Sequence, residues 1–356
     1  MSLDALRAQF PILERVAYLN AGTDGPVPLA AQEAVVREVG SQLDEGRARA
    51  HFERRFELQD ALRAGYAEVL GCTADDVALT TSTSEGLGKV LAGMDIGPGD
   101  EIVTSDAEHP GLIGPLIAAR ERGAEIRAVP FAQLADAVGS GTTAVACSHV
   151  NWRTGEIAPA ELADAGVPVI LDGAQGAGAV PIDVVKLGCA VYAASGQKWL
   201  CGADGTGLLY VAPGFRERVR SIAPGYTSFA DASLGFESPL KPDARRYDTP
   251  SLARESLAFS LAALAVLREA GLSAVLARGP VLAAELAERL AARGRTVAPR
   301  GHTTLVAWDD DDPEATRDRL HDTGIVVRNL PGTPLVRASV GAWSSEDDLD
   351  RLLAAL

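Results

Sequence analysis

Ala193-Ala-Ser-Gly-Gln-Lys-Trp-Leu-Cys-Gly-Ala-Asp-Gly-Thr-Gly-Leu-Leu-Tyr-Val211 joins an apolar run, a small-residue turn bearing one lysine, a glycine-rich loop and a second apolar run. Strands on either side would hold the Lys198 ammonium in a part-desolvated crevice, which lowers its pKa and makes the amine nucleophilic towards an aldehyde. Lys198 is therefore read as a Schiff-base lysine. An exposed lysine in a glycine-rich hairpin is the alternative for this stretch alone, and the segments upstream decide between them.

From Val77 onward short apolar segments recur: Val77 to Thr80, Ile102 to Ser105, Glu125 to Val129, Thr143 to His149, Val167 to Leu171, Val191 to Ala194 and Leu208 to Val211. Strands of this kind alternating with helices predict an α/β fold whose mostly parallel sheet is covered on both faces. Ligands in such folds lie at the carboxyl ends of strands. Before the sheet, Ser2 is placed to cap a short helix, Val16 to Leu19 reads as a brief strand, and the loop from Asn20 to Pro28 is rich in helix breakers. Its backbone is free to line a pocket, and Asn20 and Gly22 are candidate substrate contacts. Helical patterns follow at about 30–49 and 53–70 and again at 252–270 and 273–292. Three late strands, Thr304 to Trp308, Ile325 to Arg328 and Val336 to Val340, precede a closing helix from Ser345. A large domain of residues 15–251 and a small α+β domain of residues 252–356, joined by residues 1–14, are expected.

Asp172, in Val169-Ile-Leu-Asp-Gly-Ala-Gln-Gly-Ala-Gly178, ends an apolar strand one unit before Lys198. An ionised carboxylate buried there needs a cation or several donors. A protonated pyridine nitrogen serves, keeping the ring an electron sink, so Asp172 with Lys198 points to pyridoxal phosphate. Gln175 is positioned to donate to the ring's phenolic oxygen. Thr80-Thr-Ser-Thr-Ser-Glu-Gly-Leu-Gly88 lies between a strand and a helix, where Thr83 and Ser84 with the helix amides match a phosphate; ordinary capping is the alternative. Ser195 and Gln197 beside the lysine complete that cup. His109, in Asp106-Ala-Glu-His-Pro-Gly111, follows another strand, where an imidazole can stack on a flat ring and relay protons.

A formal net charge of −15 opposes binding to a phosphate backbone, so nucleic acid is not an expected partner. No uncharged run is long enough for a membrane span, and the N-terminal MSLDALRAQF has no signal-peptide pattern, which predicts a cytoplasmic protein. Four scattered cysteines and five isolated histidines fit neither a disulfide framework nor metal-ligand spacing, and no metal is predicted.

In the order TSTSEG, EHPG, SHVNWRTGE, LDGAQ, SGQKW and DGTG the chain resembles the class V aminotransferase group of fold-type I pyridoxal-phosphate enzymes, over nearly its whole length. The resemblance implies that Lys198 binds the cofactor, Asp172 pairs with its pyridine nitrogen, His109 stacks on its ring and Gln175 meets its phenolic oxygen. It implies too that Thr83, Ser84, Ser195 and Gln197 surround the phosphate, although the group more often has histidine at the place of Gln197. A hydroxyl from a partner subunit completes the cup in the group. Thr249 is the nearest match and Ser251 the alternative, so a homodimer with shared active sites follows.

Cysteine desulfurases of the group carry a catalytic cysteine on a loop between the last two strands of the small domain. Here that loop, Arg328-Asn-Leu-Pro-Gly-Thr-Pro-Leu-Val-Arg337, has none, and no cysteine follows Cys201. EHPGLI, SHVNWRTGEIAP and the arginines Arg328 and Arg337 are more similar to the cysteine/cystine C-S lyase branch, which grades into isopenicillin-epimerase-like proteins. That likeness implies that both arginines meet substrate carboxylates, as a planar guanidinium fork suits. Asn151 is a further candidate for orienting an amino-acid substrate. The expected reaction is β-elimination from a sulfur amino acid, with Lys198 as general base and His109 and Asp172 assisting. Transamination shares every step up to the carbanion and is the alternative. A non-catalytic binding protein has no need of the nucleophile.

Overall fold

The computed structural model describes all 356 residues. In chain order its elements are α1 (Leu3–Ala8), β1 (Ala17–Tyr18), α2 (Leu29–Glu45), α3 (Arg49–Leu70), β2 (Val77–Thr80), α4 (Thr83–Gly93), β3 (Glu101–Ser105), α5 (Pro110–Glu121) and β4 (Glu125–Val129). Next come β5 (Thr142–Ser148), β6 (Val169–Asp172), β7 (Val191–Ser195), β8 (Gly207–Val211), α6 (Arg254–Glu269) and α7 (Leu272–Ala292). The chain ends with β9 (Leu305–Asp309), α8 (Pro313–Asp322), β10 (Ile325–Val326), β11 (Arg328–Asn329), β12 (Leu335–Ser339) and α9 (Glu346–Ala355).

Seven strands form the main sheet in the order β2-β8-β7-β6-β5-β3-β4. β8 is antiparallel to both neighbours and the remaining pairs are parallel. Alternation along single strands divides the core. Tyr192 and Ala194 of β7 with Leu208 and Tyr210 of β8 pack on the α3 and α6 side, whereas Val191, Ala193, Leu209 and Val211 pack on the α4 and α5 side. Each strand is thus apolar on both faces, which is why these segments read as continuous apolar runs.

The expected alternation of strands with helices fails at three places. Between β4 and β5, β5 and β6, and β6 and β7 there are only short 3-10 turns or irregular backbone. Pro159, Gly166 and Pro168 interrupt the second connection, and Gly173, Gly176, Gly178, Pro181 and Gly188 the third. Helix propagation cannot survive that density of breakers. These helix-free crossings leave open backbone at the strand ends from which the site is built.

Packing also runs across the expected division at residue 252. Leu257, Leu264 and Leu267 of α6 share the cluster of Leu58, Leu62 and Tyr66 from α3. β1, expected within the large domain, pairs in parallel with β10, and Ala17 and Leu19 lie in the C-terminal core with Leu282, Val306 and Leu349. α1, capped by Ser2, is fastened to α9 by the Arg7–Asp348 ion pair at 2.7 Å. Phe10 meets Trp343 nearby, ring centroids 5.3 Å apart.

Candidate active site

Asp172 closes β6, fully buried, and its carboxylate accepts a hydrogen bond from the Ala174 amide at 2.9 Å. Burial pushes its pKa up, opposed by Lys198 and that amide. The turn after it has no room for side chains. A Cβ on Gly173 would lie 1.9 Å from the Tyr192 ring, and one on Gly176 2.2 Å from the Tyr192 hydroxyl. Tyr192 is held in turn by His149, Nδ1 to hydroxyl 2.9 Å, while the His149 amide donates to the Asp172 carbonyl at 2.8 Å. A buried polar pair thus sets where the carboxylate points.

Lys198 follows β7 in the turn closed by Cys201, a residue held at positive φ of 53°. Burial lowers the ammonium to about 8, with Asp172 and Asp24 pulling it up and Arg337 and Arg328 pushing it down. A useful fraction of the amine is therefore unprotonated near neutral pH. Gln175 bridges this turn to the loop at residues 20–25, its Oε1 accepting from Trp199 Nε1 at 3.0 Å and its Nε2 donating to the Gly22 carbonyl at 2.7 Å. One amide proton of Gln175 is left for a ligand.

At the amino end of α4 the cap is Ser82, whose hydroxyl accepts from the Glu85 amide, and not Thr83. Thr83 and Ser195 are drawn together, hydroxyl to hydroxyl 2.8 Å, with the Thr83 amide donating to Ser195 Oγ at 3.1 Å. Ser84 is exposed at the same helix end, and a side chain on Gly111 would strike its hydroxyl. Gln197 gives its carbonyl to the Gly25 amide, and its Oε1 is buried without a partner. Hydroxyls at a helix amino terminus form an anion site.

His109 caps α5, its Nδ1 accepting from the Gly111 amide at 3.0 Å, which leaves Nε2 as the protonated nitrogen. Burial lowers its pKa to about 4, helped by Lys198, Arg328 and Arg337, so the imidazole is neutral at pH 7. Arg337 is fully buried on β12. Nη1 donates to the Trp152 carbonyl, Nε has no partner, and Nη2 stands where a Gly22 side chain would be. Burial, then Arg328, pushes its pKa down to about 9. Arg328 lies directly opposite Arg337 in the β11–β12 ladder, and its Nη1 donates to Thr23 Oγ1 at 2.9 Å.

Three candidates sit differently from the simplest expectation. Asn20 Oδ1 accepts from the Thr23 hydroxyl at 2.8 Å, so Asn20 steadies the residue that holds Arg328. Asn151 Oδ1 accepts from the Arg153 amide at 2.9 Å, shaping the turn that presents the Trp152 carbonyl. Thr249 is tied to its own chain, its hydroxyl donating to Glu85 at 2.6 Å and accepting from Lys89 at 3.0 Å, while Ser251 is exposed. Residues that the sequence did not single out are Trp152, Trp199, Thr23 and Asp24. Their signal was only position, each one to three residues from a residue named above.

The donor set suits pyridoxal phosphate: a buried carboxylate without a cation, a lysine with lowered pKa, a helix end lined with hydroxyls and a neutral imidazole. The family model for Aminotransferase class-V matches residues 31–352. The chain belongs to that family. It is 28% identical over 395 residues to isopenicillin N epimerase of Streptomyces clavuligerus, covering 96% of this chain and 94% of that one. To the cysteine desulfurase of Dickeya dadantii it is 28% identical over 403 residues, covering 99% and 96%. The solved complex of the cystine C-S lyase C-DES with its reaction product cysteine persulfide superposes with a TM-score of 0.92 at 28% identity, covering 97% of this chain and 98% of that one. The fold-type I architecture and an enzyme related to cysteine desulfurases and C-S lyases follow from these likenesses. No single helix is long and apolar enough to cross a membrane.

Proposed function

We propose that the protein is a pyridoxal-phosphate-dependent C-S lyase that cleaves a sulfur amino acid by β-elimination, with cystine as the leading substrate. The observation that carries this reading is a lysine of lowered pKa facing a cross-strand pair of arginines, with no cysteine on the loop between them. Cys147, Cys189 and Cys201 are buried and Cys72 is half-buried; burial raises the pKa of all four thiols, so none is a ready persulfide carrier.

Bound pyridoxal phosphate supplies the electron sink that stabilises a carbanion at the substrate Cα. Asp172 would hold the proton at the pyridine nitrogen, Gln175 would donate to the phenolic oxygen, and His109 would lie against the ring. Thr83, Ser84, Ser195 and Gln197 would hold the phosphate. Arg337 takes the substrate α-carboxylate through Nη2, and the Lys198 amine removes the α-proton. Loss of the β-sulfur group gives a thiol or persulfide and a three-carbon fragment that ends as pyruvate and ammonia. For cystine the balance is one water consumed, with one pyruvate, one ammonia and one cysteine persulfide formed.

A homodimer with shared sites belongs to the same reading. Ile222, Tyr226, Leu234 and Phe236 are exposed on one irregular segment, and a second copy would cover them. Because Thr249 is engaged within its own chain, Ser251 is the hydroxyl assigned to the partner's phosphate.

The test mixes cofactor-loaded protein with L-cystine and no keto acid. Many turnovers of pyruvate with the cofactor's starting absorbance restored are expected. A single stoichiometric conversion of the cofactor to its amine form, reversed by a keto acid, would instead make the protein an aminotransferase.

A further inference from the structure

Two opposite charges stand unpaired at the rim of the Lys198 crevice. Arg328 forms no ion pair; its guanidinium is held by the Thr23 hydroxyl, which is itself anchored on Asn20. Asp24, the next residue, accepts no side-chain hydrogen bond, although its backbone is pinned. Its carbonyl accepts from the Tyr18 hydroxyl at 2.9 Å and its amide donates to the Asn20 carbonyl at 3.3 Å. Immediately after it the Gly25 amide donates to the Gln197 carbonyl at 2.7 Å, and a Gly25 side chain would lie 2.2 Å from the Lys198 carbonyl. Asp24 is therefore fixed against the lysine turn while its carboxylate reaches solvent. Lys198 and Arg328 both act on that carboxylate, and Asp204 opposes them.

Thr23 takes one donor of the Arg328 guanidinium, so its remaining N–H groups and the Asp24 carboxylate are available to a ligand. Meanwhile Arg328 and Arg337 are directly opposed on antiparallel strands, an arrangement that costs stability unless anions lie between them. Two arginines would suit any dicarboxylate. An added acid beside the outer arginine suits only a distal group that also carries a positive charge.

We infer that Asp24 is a specificity-determining residue: its carboxylate receives the distal ammonium of a substrate bearing an amino-acid zwitterion at each end, while Arg328 receives the distal carboxylate. The inference rests on the lyase reading and narrows it to symmetrical disulfide amino acids in preference to cysteine or simple thioethers.

Three disulfides test it on holoenzyme: L-cystine, the mixed disulfide of L-cysteine with 3-mercaptopropionate, which lacks the distal ammonium, and that with cysteamine, which lacks the distal carboxylate. For Asp24→Asn, kcat/KM for pyruvate release is expected to fall about tenfold on cystine and on the cysteamine disulfide. It should stay within about twofold on the mercaptopropionate disulfide, which has nothing for Asp24 to hold. An equal fall on all three, or no fall on any, overturns the assignment. Should wild-type enzyme release no pyruvate from any disulfide, the lyase reading falls. The Asp24 assignment is then decided by dissociation constants for the same three compounds, read from the cofactor's visible absorbance, with the same tenfold pattern supporting it and a uniform effect overturning it.

Discussion

The Trp152 indole stands edge-on to the His109 imidazole, ring centroids 5.1 Å apart and planes at 89°. Its Nε1 donates to the Ala107 carbonyl at 3.0 Å, within the loop that carries His109, and its own carbonyl receives Arg337. One residue thereby orients both the histidine assigned to the cofactor face and the arginine assigned to the carboxylate. Trp152→Ala removes the edge contact and the indole donor, together worth about 1–2 kcal/mol, and kcat/KM on cystine should drop roughly tenfold. Trp152→Phe keeps a ring and should recover most of that loss. Steady-state kinetics at saturating cofactor decide the matter, and wild-type kinetics in the alanine variant would remove Trp152 from the site.

Lys198 must be unprotonated to capture an aldehyde, and its pKa of about 8 puts that change within easy reach. The second-order rate constant for pyridoxal phosphate capture by apoprotein should rise about tenfold per pH unit below 8 and level off above it. Asp172 raises the pKa of Lys198, so Asp172→Asn should move the midpoint lower. Stopped-flow absorbance between pH 6 and about 10 provides the check. A wild-type midpoint near that of free lysine would contradict the desolvated crevice.

Arg63 and Asp248 form a bidentate buried pair at 2.9 Å, with Arg63 also donating to the Val77 carbonyl and Asp248 accepting from the Leu79 amide. The pair clamps α3 to β2, the strand that leads into the phosphate cup. Burial pushes the Asp248 pKa up, and Arg63 opposes it. Removing one partner strands a buried charge, so Asp248→Ala should cost about 3–5 kcal/mol in urea unfolding. Arg63→Met combined with Asp248→Leu should recover part of the loss. A single variant as stable as wild type would show that the pair is solvated.

How much of this was readable beforehand depended on whether the cause was local. The central strands of the main sheet were visible because both faces of each are buried, whereas β4 at the edge is half-exposed; Lys198, Asp172 and His109 were visible because each lies at or just after the carboxyl end of such a central strand. The helix-free crossings fall outside the expected alternation, which rested on the strands alone and gave no weight to the glycines and prolines from 159 to 188 that replace two of the helices. Trp152 and Thr23 hold partners far off in sequence, Arg337 and Arg328, and no spacing rule reaches across 185 or 305 residues. The tie of Thr249 to its own chain was out of reach for the same reason, since Glu85 lies 164 residues away.

His149 offers a prediction independent of turnover. It is buried against Tyr192, and burial lowers its pKa to about 4 from an ordinary 6.5. Between those values the unfolded chain binds a proton that the folded protein refuses, so stability falls as pH drops through that window and is fully present above it. The loss approaches roughly 3 kcal/mol at pH 4, taking about 1.4 kcal/mol per pH unit. In apoprotein His109 titrates in the same direction and range, so the comparison must be between wild type and His149→Gln, with His109 present in both. The glutamine can keep a hydrogen bond to the Tyr192 hydroxyl but carries no titratable proton. Urea unfolding at pH 7 and at pH 4.5 should show a drop in His149→Gln that is smaller than the wild-type drop by about 2–3 kcal/mol. Equal drops in the two proteins would mean that His149 is protonated in the fold, and that the turn bearing Asp172 rests on a charged imidazole and not a neutral one.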